Sequence, residues 1–488
     1  MKKRTSILCL LLAILMLLPL LAACDKDSTK TPESTTQAPQ NGETVEDPYL
    51  DDLGSFDFNG DTVNVLSVTS TDGTYTLFDT EELGGTVLDD SLYERNREIE
   101  ERFNLYFEAS ETSYKGCNDQ LSKQALGGTG ENDFDMIMLI NRDAYSAALR
   151  NELLPVSKMK YIDQSKDYYL KDINDAMTFN GYQFLCYTEE SLYTFQRSTC
   201  IAYNKQVATD RGMGNFYSMV KNDAWTFEEM FKQMETVTEV NQDNEVTFYG
   251  LYGHGDYLFS TFYAAAGENY VTKTEDKLVF SAASNAKMDS ITTTVLDKID
   301  FNYMGYDYDY SAPDDCYNVF KEGDSLFVGT VVGKLLLLKD IEGWDYGVLP
   351  WPKYNEEQSR YYTRVVDAWL HVVPYNHTNP DMMSVLIEAL AAGSSKYVFP
   401  AFYDIQIKGR SLRDPESVEM LEIVRNTRVI DWGGTVFATS IRSAVEKQTF
   451  VDRSKTLFGV CNTINTIVAS LMGEARAKAR DLAAVNNT

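Results

Sequence analysis

The stretch "DFDMIMLI" (133–140) is a short, continuous apolar run that is entered from an acidic loop. This pattern is typical of a strand that is covered on both faces. Upstream, "DTVNVLSV" (61–68) alternates as a strand does, and "LDDSLYERNREIEERF" (88–103) places Leu88, Leu92, Ile99 and Phe103 on one helical face. Strand, helix and strand in this order are the repeating unit of an α/β sheet, so the sequence predicts an α/β fold.

Two further helices have clear start signals. In "AWTFEEM", Thr226 and Glu229 form a predicted capping box, and Trp225 and Met230 occupy the positions of a hydrophobic staple. In "TNPDMMSVLIEALAAG", Asn379 is the predicted cap, Pro380 lies in the first turn, and Gly393 is expected to end the helix. We therefore expect structural roles for these residues.

The first residues form a targeting segment. Lys2, Lys3 and Arg4 precede an apolar run, Ile7 to Leu18, that is shorter than the about 20 residues of a spanning helix. Residues 1–23 are therefore a predicted signal peptide. The sequence "LAAC", which ends at Cys24, resembles the lipobox of bacterial lipoproteins and implies a diacylglycerol thioether on Cys24; an ordinary secretory signal is the alternative. The Ser-, Thr- and Pro-rich residues 24–55 are expected to be a disordered tether.

Charge and length restrict the partners and the architecture. The formal net charge is -29, and loss of Lys2, Lys3 and Arg4 with the signal peptide would make it -32. Because we find no Lys/Arg cluster to oppose this repulsion, nucleic acid is excluded as a partner, and we expect membrane contact through the N-terminal lipid only. The roughly 440 residues beyond the tether are too many for one core and suit two lobes.

Common catalytic and metal motifs are missing from the sequence. The 3 histidines form no HExxH motif, GxSxG does not occur, and "GTVVGK" (329–334) lacks the spacing of a P-loop. We therefore expect no catalytic residues, no metal and no cofactor. Of the cysteines beyond Cys24, which form no CxxC, only Cys186 and Cys200 flank an apparent hairpin, where a disulfide is an open alternative.

The order of several segments resembles that of the extracellular solute-binding proteins of ABC importers, the sugar-binding lipoproteins related to maltose-binding protein. Each segment alone is weakly specific, and their shared order over roughly residues 60–400 carries the resemblance. Two features depart from the family's usual pattern. The segment "VVDAWLHVV" (365–373) replaces the usual Gly-Gly before a late strand, and no Trp follows Gly329. The ligand therefore cannot be copied from a relative. The matching segments are "DFDMIMLINRDAYSAALRNELLPVS" (133–157), "YQFLCYTEESLYTFQRSTCIAYNKQ" (182–206), "WTFEEM" (225–230), "FYAAAGENYV" (262–271), "VFKEGDSLFVG" (319–329), "GWDYGVLPWPKY" (343–354) and "NPDMMSVLIEALAAG" (379–393).

The resemblance implies a type II periplasmic-binding-protein-like fold, in which each lobe is a mixed sheet flanked by helices. It implies crossovers near 188–196, 326–331 and 393–398, and a monomer that is lipid-anchored on the extracytoplasmic face of the cell membrane. The expected partners are a small carbohydrate ligand and the membrane subunits of an ABC importer. The lobes would be residues 56–190 plus 329–393, and residues 191–328 plus 394–488.

The family's contact segments, carried over residue by residue, imply a set of ligand-binding residues. Asp367 and Trp369 lie two positions apart on a predicted strand, so both side chains are expected on one face, a carboxylate beside a stacking plane. The full set is Asn141, Arg142, Asp143, Glu190, Tyr193, Tyr257, Asp367, Trp369, Phe402 and Tyr403.

Two other functions stay open at this stage. A lipid-anchored glycoside hydrolase needs a pair of carboxylates, and 73 acidic residues make some pair within reach almost inevitable. A surface adhesin should show repeats or many short strands, and the sequence shows neither. We expect a binding protein and no enzymatic activity.

Overall fold

The computed structural model describes residues 53–69, 77–80, 82–127, 133–183, 185–274, 277–312, 314–403, 412 and 414–486. The predicted signal peptide, Cys24 and residues 24–52 of the predicted tether lie outside the described residues. Leu53, at the end of that tether, is buried in the apolar cluster under the first sheet.

The described strands and helices alternate along most of the chain. The strands are β1 (Asp61–Val68), β2 (Leu105–Thr112), β3 (Met136–Ile140), β4 (Thr199–Asn204), β5 (Glu239–Val240), β6 (Val246–Gly253), β7 (Thr272–Lys273), β8 (Leu278–Val279), β9 (Ser325–Val331), β10 (Tyr346–Leu349), β11 (Thr363–Arg364), β12 (Trp369–Val372) and β13 (Arg428–Val429). The α-helices are Val87–Phe103, Tyr114–Ala125, Asn141–Leu149, Lys171–Met177, Tyr193–Gln196, Lys205–Asp210, Phe216–Lys221, Phe227–Val237, Gly255–Ala265, Ala286–Asp300, Cys316–Lys321, Pro380–Gly393, Pro415–Asn426, Arg442–Val445 and Leu457–Asn486.

The first sheet has the strand order β12-β3-β1-β2. β1 is parallel to β2 and β3, and β12 is antiparallel to β3. All five residues of β3 are buried, as the continuous apolar run predicts. Helix Val87–Phe103 buries the predicted face with Leu88, Leu92, Ile99 and Phe103, so the strand–helix–strand prediction is confirmed.

The second sheet has the strand order β10-β4-β9-β6-β5. β4 is antiparallel to both β9 and β10, and β6 is parallel to β9, so this sheet is mixed as expected. Residues 326–331, a predicted crossover, form most of β9. Because β10 also belongs to this sheet, the chain returns to the first sheet after Leu349, whereas the predicted lobe boundary is at residue 329. The lobe boundaries stay a prediction.

The path from β10 back to β12 passes through a small pairing. β11 pairs in parallel with β13, and Val365 forms an isolated bridge with Ser198, next to the start of β4. Residues 365–368 are therefore the part of the chain that leads into β12 of the first sheet after the chain has left the second sheet.

The predicted start of helix Phe227–Val237 is confirmed, with one difference. The Thr226 hydroxyl accepts from the Glu229 backbone N–H, and Trp225 is fully buried and donates from Nε1 to the Pro350 carbonyl at 3.0 Å. The Glu229 carboxylate accepts from the Gln233 side chain, so the return bond of a capping box is replaced by a bond within the helix.

Gly393 is the last residue of α-helix Pro380–Gly393, as predicted, but it does not have the left-handed conformation of a glycine that stops a helix. Its φ is -63°, and the chain continues into the π-helical turn Ser394–Val398. A Cβ atom at Gly393 would lie 2.9 Å from Cγ of Arg95, whose guanidinium donates to the Ser394 hydroxyl at 3.0 Å. The glycine therefore provides room for a buried arginine.

Cys186 and Cys200 are both free. Helix Tyr193–Gln196 lies between them where the sequence suggested a hairpin, and Cys200 packs in the apolar cluster around β4 while Cys186 borders that of the first sheet. The disulfide alternative is therefore not realised. Within the described ranges, no helix is both long enough and apolar enough to cross a membrane.

Candidate functional site

The candidate site lies where strands of both sheets end. Residues 141–143 follow β3 directly, residues 255–257 follow β6, and Asp367 precedes β12. In open α/β sheets, ligands bind at the carboxyl ends of strands, where loops and helix starts meet.

Three of the residues in the predicted set, Arg142, Asp143 and Asp367, lie close together. Nη1 of Arg142 lies 3.3 Å from an Asp367 carboxylate oxygen, and its Nε lies 3.9 Å from Asp143. The side chains are 32%, 27% and 10% exposed, respectively, so solvent reaches all three. These groups are therefore able to exchange hydrogen bonds with a solute.

Asn141 holds these side chains in position through hydrogen bonds. It is 1% exposed, its backbone N–H donates to the Ala368 carbonyl at 2.7 Å, and its side-chain oxygen accepts from the Arg142 N–H. It thereby ties the start of helix Asn141–Leu149 to the segment 367–369, in which Trp369 begins β12 and Asp367 lies just before the strand, not on it as predicted.

Aromatic rings surround Trp369. Tyr114 and Tyr193 each contact it edge-on, with ring centroids 5.7 Å away. Trp369 is only 9% exposed, whereas Tyr114 is 39% exposed and donates its hydroxyl to Asp143. The ring that is open to solvent is therefore Tyr114, which the sequence interpretation missed. It directly follows Ser113, the cap of its helix, and that position gave no signal of binding.

Arg197 is a second residue that the sequence interpretation missed. Its guanidinium carbon lies 5.5 Å from the Tyr193 ring centroid and 5.4 Å from that of Tyr257, and Nη1 donates to the Tyr257 hydroxyl at 3.1 Å. The Arg197 carbonyl accepts from the Val366 N–H at 3.0 Å. Arg197 therefore links the two predicted tyrosines to the segment that carries Asp367.

A buried ion cluster is centred on Asp256, in the helix that follows β6 of the second sheet. One Asp256 carboxylate oxygen lies 3.6 Å from Nη1 of Arg442 and 4.0 Å from Nη2 of Arg364, and all three side chains are at most 8% exposed. Burial alone would raise the pKa of Asp256, but the Arg442 and Arg364 charges outweigh it and hold that pKa below its ordinary value. Asp256 is therefore an anion in the folded protein.

Glu446 belongs to the same cluster. It accepts hydrogen bonds from the Ser260 hydroxyl and, at 3.2 Å, from the Tyr308 hydroxyl. Burial, with the Asp256 charge added, raises the pKa of Glu446 to about 7. Tyr308 in turn stacks on His254, and Tyr310, which is 60% exposed, contacts both rings edge-on.

Glu190 has a partner outside this group. One of its carboxylate oxygens lies 2.9 Å from Nδ1 of His371, whose Nε2 lies 3.1 Å from the Ser67 hydroxyl. Burial would raise the pKa of Glu190, but the charges of His371 and Arg95 outweigh it and lower that pKa. The structure thus places Glu190 in a polar network at the first sheet, and a solute contact for it stays a prediction.

Phe402 and Tyr403 lie in an apolar cluster with Phe195 and Phe399. The ring centroids of Phe195 and Phe402 are 6.3 Å apart, and Tyr403 stacks on Phe399 at 5.9 Å. The Tyr403 hydroxyl donates to the Val418 carbonyl. Packing accounts for the burial of both residues, and the structure does not bring them to Asp367.

The part of the chain that the structure describes contains no cluster of potential metal ligands. There, no three His, Cys, Asp or Glu side chains are grouped so that they could hold a metal ion. The chemistry that the site offers is hydrogen bonding and aromatic contact.

Comparison with known structures agrees with this architecture. An extracellular solute-binding protein from Staphylococcus aureus in complex with maltose has 12% identity and a TM-score of 0.57, with 85% of this chain and 98% of that chain covered. The GacH receptor of Streptomyces glaucescens, solved unliganded and with acarbose, has 14% identity and a TM-score of 0.56 over 85% and 99%. UgpB from Mycobacterium tuberculosis in complex with glycerophosphocholine has 16% identity and a TM-score of 0.53 over 80% and 99%.

At such low identity, these structural similarities show a shared fold and nothing more. They confirm the predicted periplasmic-binding-protein-like class. No curated protein sequence matches the chain. The model of one protein family, described as bacterial extracellular solute-binding protein, matches residues 95–393, which is more than half of the chain. The predicted resemblance is thereby confirmed, and the chain belongs to the family of bacterial extracellular solute-binding proteins.

Proposed function

We propose that this protein captures a sugar or oligosaccharide between its two sheets and delivers it, as a monomer, to the membrane subunits of an ABC importer. The observation that carries the proposal is the joining of Arg142, Asp143 and Asp367 with the rings of Tyr114 and Trp369. Sugar rings present hydroxyl groups at their edges and C–H groups on their faces. Ligand sites that combine aromatic walls with a few polar groups suit such molecules.

Two of the structural neighbours support the ligand class. Their structures contain maltose and acarbose, whereas a third contains glycerophosphocholine. The chain passes between the sheets at residues 365–368 and at helix Tyr193–Gln196, and crossings of this kind are suited to a hinge that closes the lobes over a solute.

A thermal-shift screen against a broad panel of mono- and oligosaccharides tests the ligand class. A ligand at a hundred times its Kd should add about 2.7 kcal/mol to the free energy of unfolding. We expect at least one sugar to raise the melting temperature in this way. If no sugar shifts it, the proposal for a carbohydrate ligand is wrong.

The same samples separate capture from hydrolysis. A binding protein leaves a bound oligosaccharide intact, whereas a glycoside hydrolase would release reducing ends. Reducing ends that accumulate with the protein, and not in buffer alone, would favour the hydrolase.

We further propose that the protein is lipid-anchored on the extracytoplasmic face through Cys24. A diacylglycerol group supplies two acyl chains, which is enough for stable anchoring. We expect Cys24→Ala to lose both lipid labelling and membrane association in cell fractionation, with Cys117→Ala, a buried thiol, as the control. Unchanged labelling of Cys24→Ala would contradict the lipid anchor.

A further inference from the structure

A groove of about 550 Å³ opens along helix Asn141–Leu149, whose first turn carries Arg142 of the candidate site. We call it the extension groove; it is lined by helix Asn141–Leu149, by residues 436, 437, 439 and 440, and by the C-terminal helix Leu457–Asn486. Its volume lies within the roughly 300–1,000 Å³ that is typical of sites for small molecules. None of the ligand-binding residues predicted from the sequence lies in it.

The first wall of the extension groove begins at the candidate site. Arg142, Ser146 and Arg150 follow each other at intervals of four residues, so they lie along one side of the helix. The Ser146 hydroxyl donates to the Arg142 carbonyl at 3.0 Å, and Ser146 and Arg150 line the groove. Eight residues of helix span about 12 Å, which is the distance that this wall runs away from Arg142.

The second wall is also connected to the candidate site. Nη1 of Arg442 lies 3.4 Å from the carbonyl of Val366, the residue before Asp367. Two residues earlier in the chain, Ser440 lines the extension groove, and residues 436, 437 and 439 continue it. Both walls are therefore connected, through their own chain segments, to the Arg142–Asp367 pair.

The lining of the extension groove selects for a neutral, hydroxyl-rich chain. Ser146, Thr439 and Ser440 supply hydroxyl groups, and Leu149 and Phe437 supply apolar surface between them. The charged lining residues cancel, with Arg150 and Lys478 against Glu474 and Asp481, and Arg150 is already paired with Glu152 at 2.6 and 2.8 Å. An anionic chain would need an excess of cations here.

We propose that the extension groove is a second binding segment, which holds the tail of a linear neutral oligosaccharide whose first rings occupy the candidate site. This inference rests on the proposed function and deepens it. It assigns the chain a preference for long sugars over disaccharides of the same linkage. The contacts that produce this preference lie in the extension groove, outside the Arg142–Asp367 pair.

The experiment compares two tryptophan variants by calorimetry. Ala477 is exposed and lines the extension groove, so Ala477→Trp should fill it, whereas Ala469, exposed on the same helix, lies outside the lining and provides the matched control Ala469→Trp. The probes are neutral linear gluco-, xylo-, manno- and galacto-oligosaccharides of two to six rings. For the linkage that binds, we expect the wild type and Ala469→Trp to bind the hexasaccharide at least about tenfold more tightly than the disaccharide, a difference of about 1.4 kcal/mol.

In Ala477→Trp, that gain should disappear while the affinity for the disaccharide stays as in the wild type. Equal affinity of the wild type for both lengths overturns the extension groove, as does a gain that survives in Ala477→Trp, and either result leaves the proposed function intact. Failure of every probe to bind the wild type overturns both proposals.

Discussion

Replacing Asp256 with alanine should lower the free energy of unfolding by about 3–5 kcal/mol, because it removes the carboxylate that pairs with two buried arginine charges. Asp256 lies 3.6 Å from Arg442 and 4.0 Å from Arg364, and its own side chain is 8% exposed. The Asp256 carbonyl accepts from Arg364 at 2.5 Å, and this backbone bond alone does not neutralise the guanidinium. Urea denaturation of the wild type and the variant, at equal pH and salt, measures the loss.

Asp381 provides the matched control. Both aspartates are the second residue of their helix, Asp256 in Gly255–Ala265 and Asp381 in Pro380–Gly393, but Asp381 is exposed. The helix dipole favours an acid at this position by about 0.3–1 kcal/mol, so Asp381→Ala should cost no more than that. Similar losses in the two variants would mean that the Asp256 charge contributes only through the helix dipole.

The sequence predicts the fold well because its signals are local. The continuous apolar run at β3 and the one-sided apolar face of helix Val87–Phe103 each report which side of the element is buried, and burial of that side is what the structure shows. The end of the helix at Gly393 was predicted from the usual role of glycine at helix ends. The α-helix does end there, but the contact that requires this glycine is with Arg95, nearly 300 residues earlier, and no local pattern reports such a contact.

The site is only partly predictable for the same reason. Arg142, Asp143 and Asp367 lie together because each is next to a strand end that the sequence pattern locates. Arg197 and Tyr114 join them through contacts across the fold, from positions where the residue type carries no signal of its own. Phe402 and Tyr403 have the residue types of a sugar site, yet they pack against Phe195 and Phe399, because aromatic residues serve cores as readily as binding sites.

Asp367→Ala should weaken sugar binding about 10–150-fold, since a hydrogen bond that involves a charged group contributes about 1.5–3 kcal/mol. The fold should be affected little. In Asp367→Ala, Arg142 loses one ion-pair partner. Its side chain is 32% exposed and still lies 3.9 Å from Asp143, so water and the Asp143 carboxylate can stabilise its charge. Asp367 is thereby distinguished from Asp256, whose arginine partners are buried.

Two measurements on each of two variants decide the role of Asp367. Calorimetry with the sugar found by the thermal-shift screen gives the affinity, and the melting temperature without sugar gives the stability. Asp143→Ala is the companion variant, because Asp143 lies 3.9 Å from the same arginine and also accepts from Tyr114. Trp369→Ala is a poorer test, since Trp369 is 9% exposed and its loss would remove core packing worth about 3–5 kcal/mol. If Asp367→Ala lowers the melting temperature of the free protein and leaves the affinity unchanged, Asp367 holds Arg142 in place and does not bind the solute.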